Sequence, residues 1–276
     1  MNILFCGDHN AEKGVLIATL SILKQEKDEE LHIYVLTMKA KSLTKKYVPF
    51  SKHAADYIGS LVTSQNPNST LELIDCTENF EKEPPVINMG TRFTPYAMLR
   101  LFADQLPQIP DRILYLDDDV IVRRPLNKFY VQNLDGVELV GVLDYFGKVF
   151  FHNRKQKRVF DYLNSGVLLL NMKEIKRTGL FKKVRHLMQI KKMFLPDQSA
   201  INKLAIEKRI VPRKYNEQYK LQKDTVIQHF TTSFRFFPYF RTQTVKPWDV
   251  ERVHSVLKLH EYDDILNEYL KLKDNL

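Results

Sequence analysis

The sequence predicts an α/β protein with a mainly parallel central sheet flanked by helices, and with further helices at its C-terminal end. Two observations carry that expectation. Short apolar runs alternate with stretches of helical spacing through the first half of the chain, which implies crossover connections. At 112–122 (RILYLDDDVIV) an apolar run is closed by Asp117, Asp118 and Asp119 and resumes at once. In sheets of this kind ligands bind outside the carboxyl ends of the strands, and an acidic strand end there is a candidate site.

Residues 2–6 read as a first strand, ended by a turn at Gly7-Asp8-His9-Asn10. Residues 11–25 have helical spacing with Val15, Ala18 and Ile22 on one side. A second strand at 31–36, a partly polar helical segment at 42–61 interrupted near Pro49, and a third strand at 71–76 follow. Residues 83–88 form a loop, and 95–106 a helix with Thr94 as N-cap and Pro95 in its first turn. After the acidic strand, 137–143 is a strand ending at Asp144, and the basic, aromatic stretch 148–157 is an excursion over the cleft. Residues 164–171 (NSGVLLLN) are a buried strand opened by small polar residues. Helices are expected at 173–194 and 197–206, short strands at 210–212 and 225–229, and terminal helices at 249–258 and 263–273. Neither an internal repeat nor a flexible linker divides the chain.

The 276 residues suffice for a substantial core, and 44% hydrophobic with 27% charged residues is ordinary for a globular protein. A net charge of +9 admits nucleotide phosphate, nucleic acid or an anionic membrane surface as partner. The excess lies at 148–158, 173–192 and 203–214, much of it as solvated helix face, so charge does not choose among them. Cys6 and Cys76 sit in separate apolar runs without metal-type spacing, which points to a reduced, cytosolic compartment. The amino terminus lacks the pattern of a secretory signal, and nowhere do eighteen apolar residues follow one another.

On an extended backbone Asp117 and Asp119 share one face while Asp118 turns away. Like charges held that close need neutralising, and hard oxygen ligands suit magnesium or manganese. The plain alternative is a turn or helix cap rich in Asp.

Several segments in this order resemble glycosyltransferase family 8: the first strand with Asp8 and Asn10, YLDDDVIV, NSGVLLLNM from Asn164, PDQSAIN from Pro196, and QHF through KPW ending at Trp248. The resemblance covers roughly residues 2–250. That family comprises retaining nucleotide-sugar transferases, among them bacterial lipopolysaccharide glucosyl- and galactosyltransferases and glycogenin. The resemblance implies a GT-A type nucleotide-sugar-binding fold over residues 1–250, with 251–276 a helical extension packed on it. It also implies transfer of glucose or galactose from a UDP-sugar to a glycan or glycolipid acceptor, as in lipopolysaccharide or cell-surface polysaccharide synthesis. Residue by residue, Asp117, Asp119 and His229 are similar to the manganese (or magnesium) ligands. Asp8 and Asn10 are similar to the uracil and ribose contacts. Arg100, Asp117, Asp118, Asn164 and Lys246 fall on the UDP-sugar side, and Gln198, Asp197 and Asp144 at the reacting centre. An amide is a poor nucleophile, so Gln198 fits a front-face retaining reaction as an electrostatic helper.

Each residue has a plainer reading beside the implied one. His229 alone is a structural histidine, Asp8 with Asn10 an Asx turn, Asp144 a strand-end cap, Asp197 a helix N-cap, and Arg100 a surface arginine. Trp248, the only tryptophan, fits a packing anchor. Two departures from the family pattern stand out. Met98 occupies the place of a tyrosine, and 231–245 contains no glycine but a run of phenylalanines, a loop expected to shape the acceptor side. The implied enzyme is cytoplasmic, with peripheral contact at the inner face of the membrane. Two other readings remain: a HAD-like metal-dependent phosphohydrolase, whose motif places Thr or Val where Ile121 stands, and a non-catalytic sugar-nucleotide or nucleic-acid binding module, for which no nucleic-acid fingerprint is present.

Overall fold

β1 (Asn2–Cys6) is apolar because both of its faces are covered. Ile3 and Phe5 enter one hydrophobic cluster, Leu4 and Cys6 the other, as the two-residue period of a strand requires. The computed structural model describes residues 1–39, 47–89, 94–147, 161–235 and 241–276. In it β1 lies between β2 (His32–Thr37) and β4 (Arg112–Leu116) in a seven-stranded sheet. The order is β3 (Thr70–Asp75), β2, β1, β4, β7 (Leu163–Asn171), β6 (Leu139–Leu143), β8 (Lys208–Ile210). Every strand but β7 runs the same way.

The mainly parallel sheet is therefore present, with one reversed strand. The reversal positions the site. Leu116 at the end of β4 lies opposite Val167, and Leu143 at the end of β6 opposite Leu163, so β7 delivers its opening Asn164-Ser165-Gly166 to the edge where its neighbours finish.

α1 (Glu12–Gln25) buries Val15, Ala18 and Ile22 as expected. α2 (Lys52–Gln65) starts only after Pro49, with Ser51 capping the Ala54 amide; residues 40–46 of the expected helix lie outside the described residues. Both belong to the cluster on one face of the sheet. The other face is covered by the 3-10 helix Pro95–Gln105 and the helices Met172–Thr178, Leu180–Ile190 and Pro196–Leu204. The expected single helix at 173–194 is two helices, because Gly179 at φ 66° closes the first in the left-handed conformation.

The acidic segment is not one strand. β5 (Val120–Val122) leaves the main sheet and pairs antiparallel with β9 (Ile227–His229), setting Val120 against His229. Of the expected strands near the C-terminal third, 210–212 shifts to β8 and 225–229 shortens to β9. The segment 231–245 contains an antiparallel ladder, β10 (Ser233–Arg235) with β11 (Arg241–Gln243). Its residues 236–240, like 148–157, lie outside the described residues. Helices Val250–Ser255 and Asp263–Leu272 end the chain, the latter packing on α1 through Ile265, Leu266 and Tyr269. Among the described residues no helix is long and apolar enough to cross a membrane.

Candidate active site

Asp117, Asp118 and Asp119 occupy the turn between β4 and β5. Strand alternation is therefore not what pairs Asp117 with Asp119. The turn folds them together and fixes them from both sides: the Asp117 amide donates to the Gly166 carbonyl (2.8 Å), and the Phe230 amide to the Asp119 carbonyl (2.9 Å). His229 arrives on β9, with Nε2 at 3.0 Å from Asp119 Oδ1 and 3.7 Å from Asp117 Oδ2. Ligand atoms of all three lie within 4.8 Å of one another.

Two further features fit a divalent cation here. Asp119 Oδ1 is buried without a hydrogen bond. A Cβ on Gly166 would stand 2.2 Å from His229 Cε1 and 2.6 Å from Asp117 Oδ2, so the cluster closes on bare backbone. Carboxylate oxygens with one imidazole nitrogen are a donor set for manganese or magnesium.

Around this cluster opens a cavity of about 480 Å³, lined by all three acidic residues, His229, Arg100, Asp144, Asn164, Asp197, Gln198 and Lys246. Arg100 is not a surface arginine but 2% exposed. Its guanidinium spans Asp197 (3.0 Å) and Asp117 (3.4 Å), donates through Nε to the Ala97 carbonyl (2.8 Å), and lies over the Tyr115 ring at 3.9 Å. Tyr115 donates its hydroxyl to Asp117 Oδ1 (2.6 Å). Burial opposes the Arg100 charge, but Tyr115, Asp197 and Asp117 outweigh it and hold the guanidinium firmly protonated. At Asp197 burial wins over Arg100 and raises the carboxyl, since one guanidinium is divided between two carboxylates.

Lys246, expected at the diphosphate, donates to Asp119 Oδ2 and to the Phe230 carbonyl. Burial alone would raise Asp119, but the Lys246 ammonium holds it well below the usual carboxylate range. Desolvation and the Asp119 charge push Asp118 the other way.

A hydrogen-bonded set lines the same cavity beside them. Asp144 Oδ2 accepts from Asn164 Nδ2 and Gln198 Nε2, each at 3.1 Å, and its Oδ1 from the Phe146 amide at 3.1 Å. Gln198 Oε1 accepts from the Ser165 amide (3.0 Å). Asp197 sits within the first turn of Pro196–Leu204, whose N-cap is Leu195, so it is not a cap.

Asp8 and Asn10 are not brought into this cavity among the described residues. Asp8 accepts from the Asn10 amide (3.0 Å) and Asn10 Nδ2 (3.2 Å), an Asx turn that opens the short 3-10 turn His9–Ala11. Trp248 packs on the cluster around α1, as expected of an anchor. Sequence reasoning missed Tyr115, Ser165 and Asn216. Asn216 Nδ2 donates to Asn164 Oδ1 (2.9 Å), and His229 Nδ1 lies 3.0 Å from Asn216 Oδ1. No pattern marks a lone Asn in KYNEQY; its partners exist only after folding.

Sheet order, crossing helices and an acidic cluster at the strand ends are those of the GT-A fold. The family model of glycosyl transferase family 8 matches residues 2–251, and the chain belongs to that family. It is similar to the lipopolysaccharide 1,3-galactosyltransferase of Salmonella typhimurium, 25% identical over 250 residues that cover 85% of this chain and 68% of the other. It is likewise similar to the lipopolysaccharide 1,2-glucosyltransferase of Escherichia coli, 24% identical over 276 residues, covering 95% and 76%. In structure it resembles the galactosyltransferase LgtC solved with donor and acceptor sugar analogues, with a TM-score of 0.72 at 20% identity and 100% of both chains covered. Family membership sets aside the phosphohydrolase and the non-catalytic module.

Proposed function

We propose that this protein is a metal-dependent, retaining hexosyltransferase that moves glucose or galactose from a UDP-sugar to a hydroxyl of a glycan or glycolipid. The observation that carries this reading is the convergence of two sets on one cavity: Asp117, Asp119 and His229, which can hold a metal, and Asp144, Asp197 and Gln198 beside them. Asp117, Asp119 and His229 would hold manganese or magnesium, which as a Lewis acid neutralises the departing diphosphate. Arg100 spans Asp117 and Asp197 and holds both carboxylates in place. Asn164 and Gln198 present their amides along the sugar side of the cavity, fixed through Asp144.

A double displacement needs a free carboxylate beside the anomeric carbon. Both oxygens of Asp144 accept hydrogen bonds, and Asp197 is committed to Arg100. Gln198 has its amide oxygen on Ser165. This favours front-face attack: the bond from the anomeric carbon to the phosphate oxygen breaks, the acceptor hydroxyl bonds from the same face, and its proton passes to the departing phosphate. Lys246, already beside Asp119, supplies a point charge for that phosphate.

The acceptor side includes an exposed apolar rim. Phe194 (69% exposed) lines the cavity, the exposed Ile190 (63%) precedes Lys191 and Lys192 in the segment leading to it, and Val86 (60%) lies on a 3-10 turn packed against the helix that Ile190 ends. Asn88 ties these segments together by donating to the Met188 and Lys191 carbonyls (2.6 and 2.9 Å). Such a rim suits a glycolipid acceptor and peripheral contact with the cytoplasmic membrane surface. In this reading residues 1–250 carry catalysis, and 251–276 are an extension bracing α1.

Calorimetric titration of UDP tests the core of the proposal. Affinity should rise with manganese and fall in EDTA, and Asp119→Asn should abolish transfer in a protein that still folds. Equal affinity under both conditions would contradict it.

A further inference from the structure

We infer that Asn216 is a positioning residue that decides which ring nitrogen of His229 carries the proton. It thereby keeps Nε2 bare and turned toward Asp117 and Asp119. The orientations follow from a group whose role cannot change. The Gly166 backbone N–H is a donor, and it lies 3.0 Å from an Asn164 side-chain atom, which must therefore be the oxygen Oδ1. An amide oxygen only accepts, so the Asn216 atom 2.9 Å from it must be the nitrogen Nδ2. That orientation leaves Asn216 Oδ1 facing His229 Nδ1 at 3.0 Å. An oxygen facing a ring nitrogen at that distance requires the proton on Nδ1, and in a neutral imidazole Nε2 then offers a lone pair.

The neighbouring geometry agrees. Nε2 stands 3.0 Å from Asp119 Oδ1, a buried oxygen without a hydrogen bond. Two acceptors placed face to face are what a cation between them would bridge. Asn216 is 0% exposed, so water does not supply its hydrogen bonds. The backbone fixes its place as well: the Glu217 amide donates to the Ile227 carbonyl and the His229 amide to the Glu217 carbonyl, each at 2.9 Å, which runs this segment alongside β9 beneath the histidine. The partner of the other ring nitrogen commonly sets both the tautomer and the orientation of a metal-binding histidine. Here the chain Gly166–Asn164–Asn216 is that partner. It also links the metal side of the cavity to the sugar side, because Asn164 Nδ2 bonds Asp144.

The purpose assigned to the bare nitrogen rests on the metal-binding reading above; the tautomer itself does not. The test is long-range 1H–15N correlation of the His229 ring in the full-length, metal-free protein with the ring neutral. The wild type should show a protonated Nδ1 and a bare Nε2. Asn216→Leu removes the acceptor, so the proton should move to Nε2, where Asp119 Oδ1 awaits it, and manganese affinity should fall about 10- to 100-fold. Asn216→Asp keeps an acceptor and should keep the wild-type pattern. A wild-type ring protonated on Nε2, or a leucine variant that stays protonated on Nδ1, overturns the inference. So does an inverted tautomer with undiminished manganese affinity. Should Asn216→Leu fail to fold, the wild-type and aspartate spectra still decide, since Nε2 protonation in either is fatal. Failure of the proposed function would appear separately, as manganese-independent binding of UDP to the wild type.

Discussion

Arg100 holds Asp117 and Asp197 in one buried corner where, without it, two carboxylates would face each other in low dielectric. Removing one partner of such a set leaves charge uncompensated, which costs about 3–5 kcal/mol. Arg100→Leu should lower unfolding stability by that amount in urea titration; a loss under ~1 kcal/mol would mean the carboxylates find other compensation. Gln198 is a different case. Its amide is held at both ends, by Ser165 and by Asp144, so it keeps one orientation, as the proposed role beside a carbon gaining positive charge requires. Gln198→Ala should reduce kcat roughly 10- to 1000-fold, the range for loss of one oriented electrostatic partner. The product should retain the donor's anomeric configuration by NMR, and a β-linked product from an α-linked donor would contradict the front-face reading.

At the scale of elements, α1 and the acidic turn are in close contact at Gly14. A Cβ there would stand 2.2 Å from the Asp118 carbonyl oxygen and 2.8 Å from Trp248 Cζ3. Alanine has the better helix propensity, by about 1 kcal/mol, but overpacking typically costs 1–3 kcal/mol. The contact is with backbone, which does not move aside as a flexible side chain would, so Gly14→Ala should be net destabilising. It should also weaken manganese binding by displacing the turn that carries Asp117 and Asp119. A variant as stable as wild type with undiminished metal affinity would show that the turn yields. Legibility differs sharply between elements. The acidic turn could be read because three carboxylates between apolar runs are costly without a purpose. The direction of β7 could not, since LNSGVLLLN is equally apolar read either way and nothing local separates parallel from antiparallel pairing. Arg100 was readable as a position but not as a buried ion pair, because its partners come from the β4 turn and from Pro196–Leu204. Asp8 and Asn10 offered two readings, and the residues themselves satisfy the local one, bonding each other.

For the whole molecule, the net charge of +9 gains meaning only from where it lies. Lys182, Lys183, Lys191 and Lys192 are exposed on and just beyond Leu180–Ile190, next to Ile190 and the cavity-lining Phe194. The opposite face of the same helix is buried through Leu180, Phe181, Val184 and Met188. A solvated helix face needs no exposed isoleucine beside its lysines, whereas a face that meets lipid uses both kinds of group: lysines for the anionic headgroups, apolar side chains for the boundary beneath. Each lysine near such a surface contributes on the order of 1 kcal/mol, so losing two should weaken binding about thirtyfold. The full-length protein should therefore sediment with vesicles containing phosphatidylglycerol, and much less with neutral vesicles or at high salt. Lys191→Ser with Lys192→Ser should release it, and Ile190→Ser should weaken it further, while slow hydrolysis of the UDP-sugar continues at the wild-type rate because none of the three lines the cavity. Equal sedimentation with neutral and anionic vesicles, or unchanged binding of the lysine variant, would assign this face to solvent and leave a soluble glycan as the better acceptor.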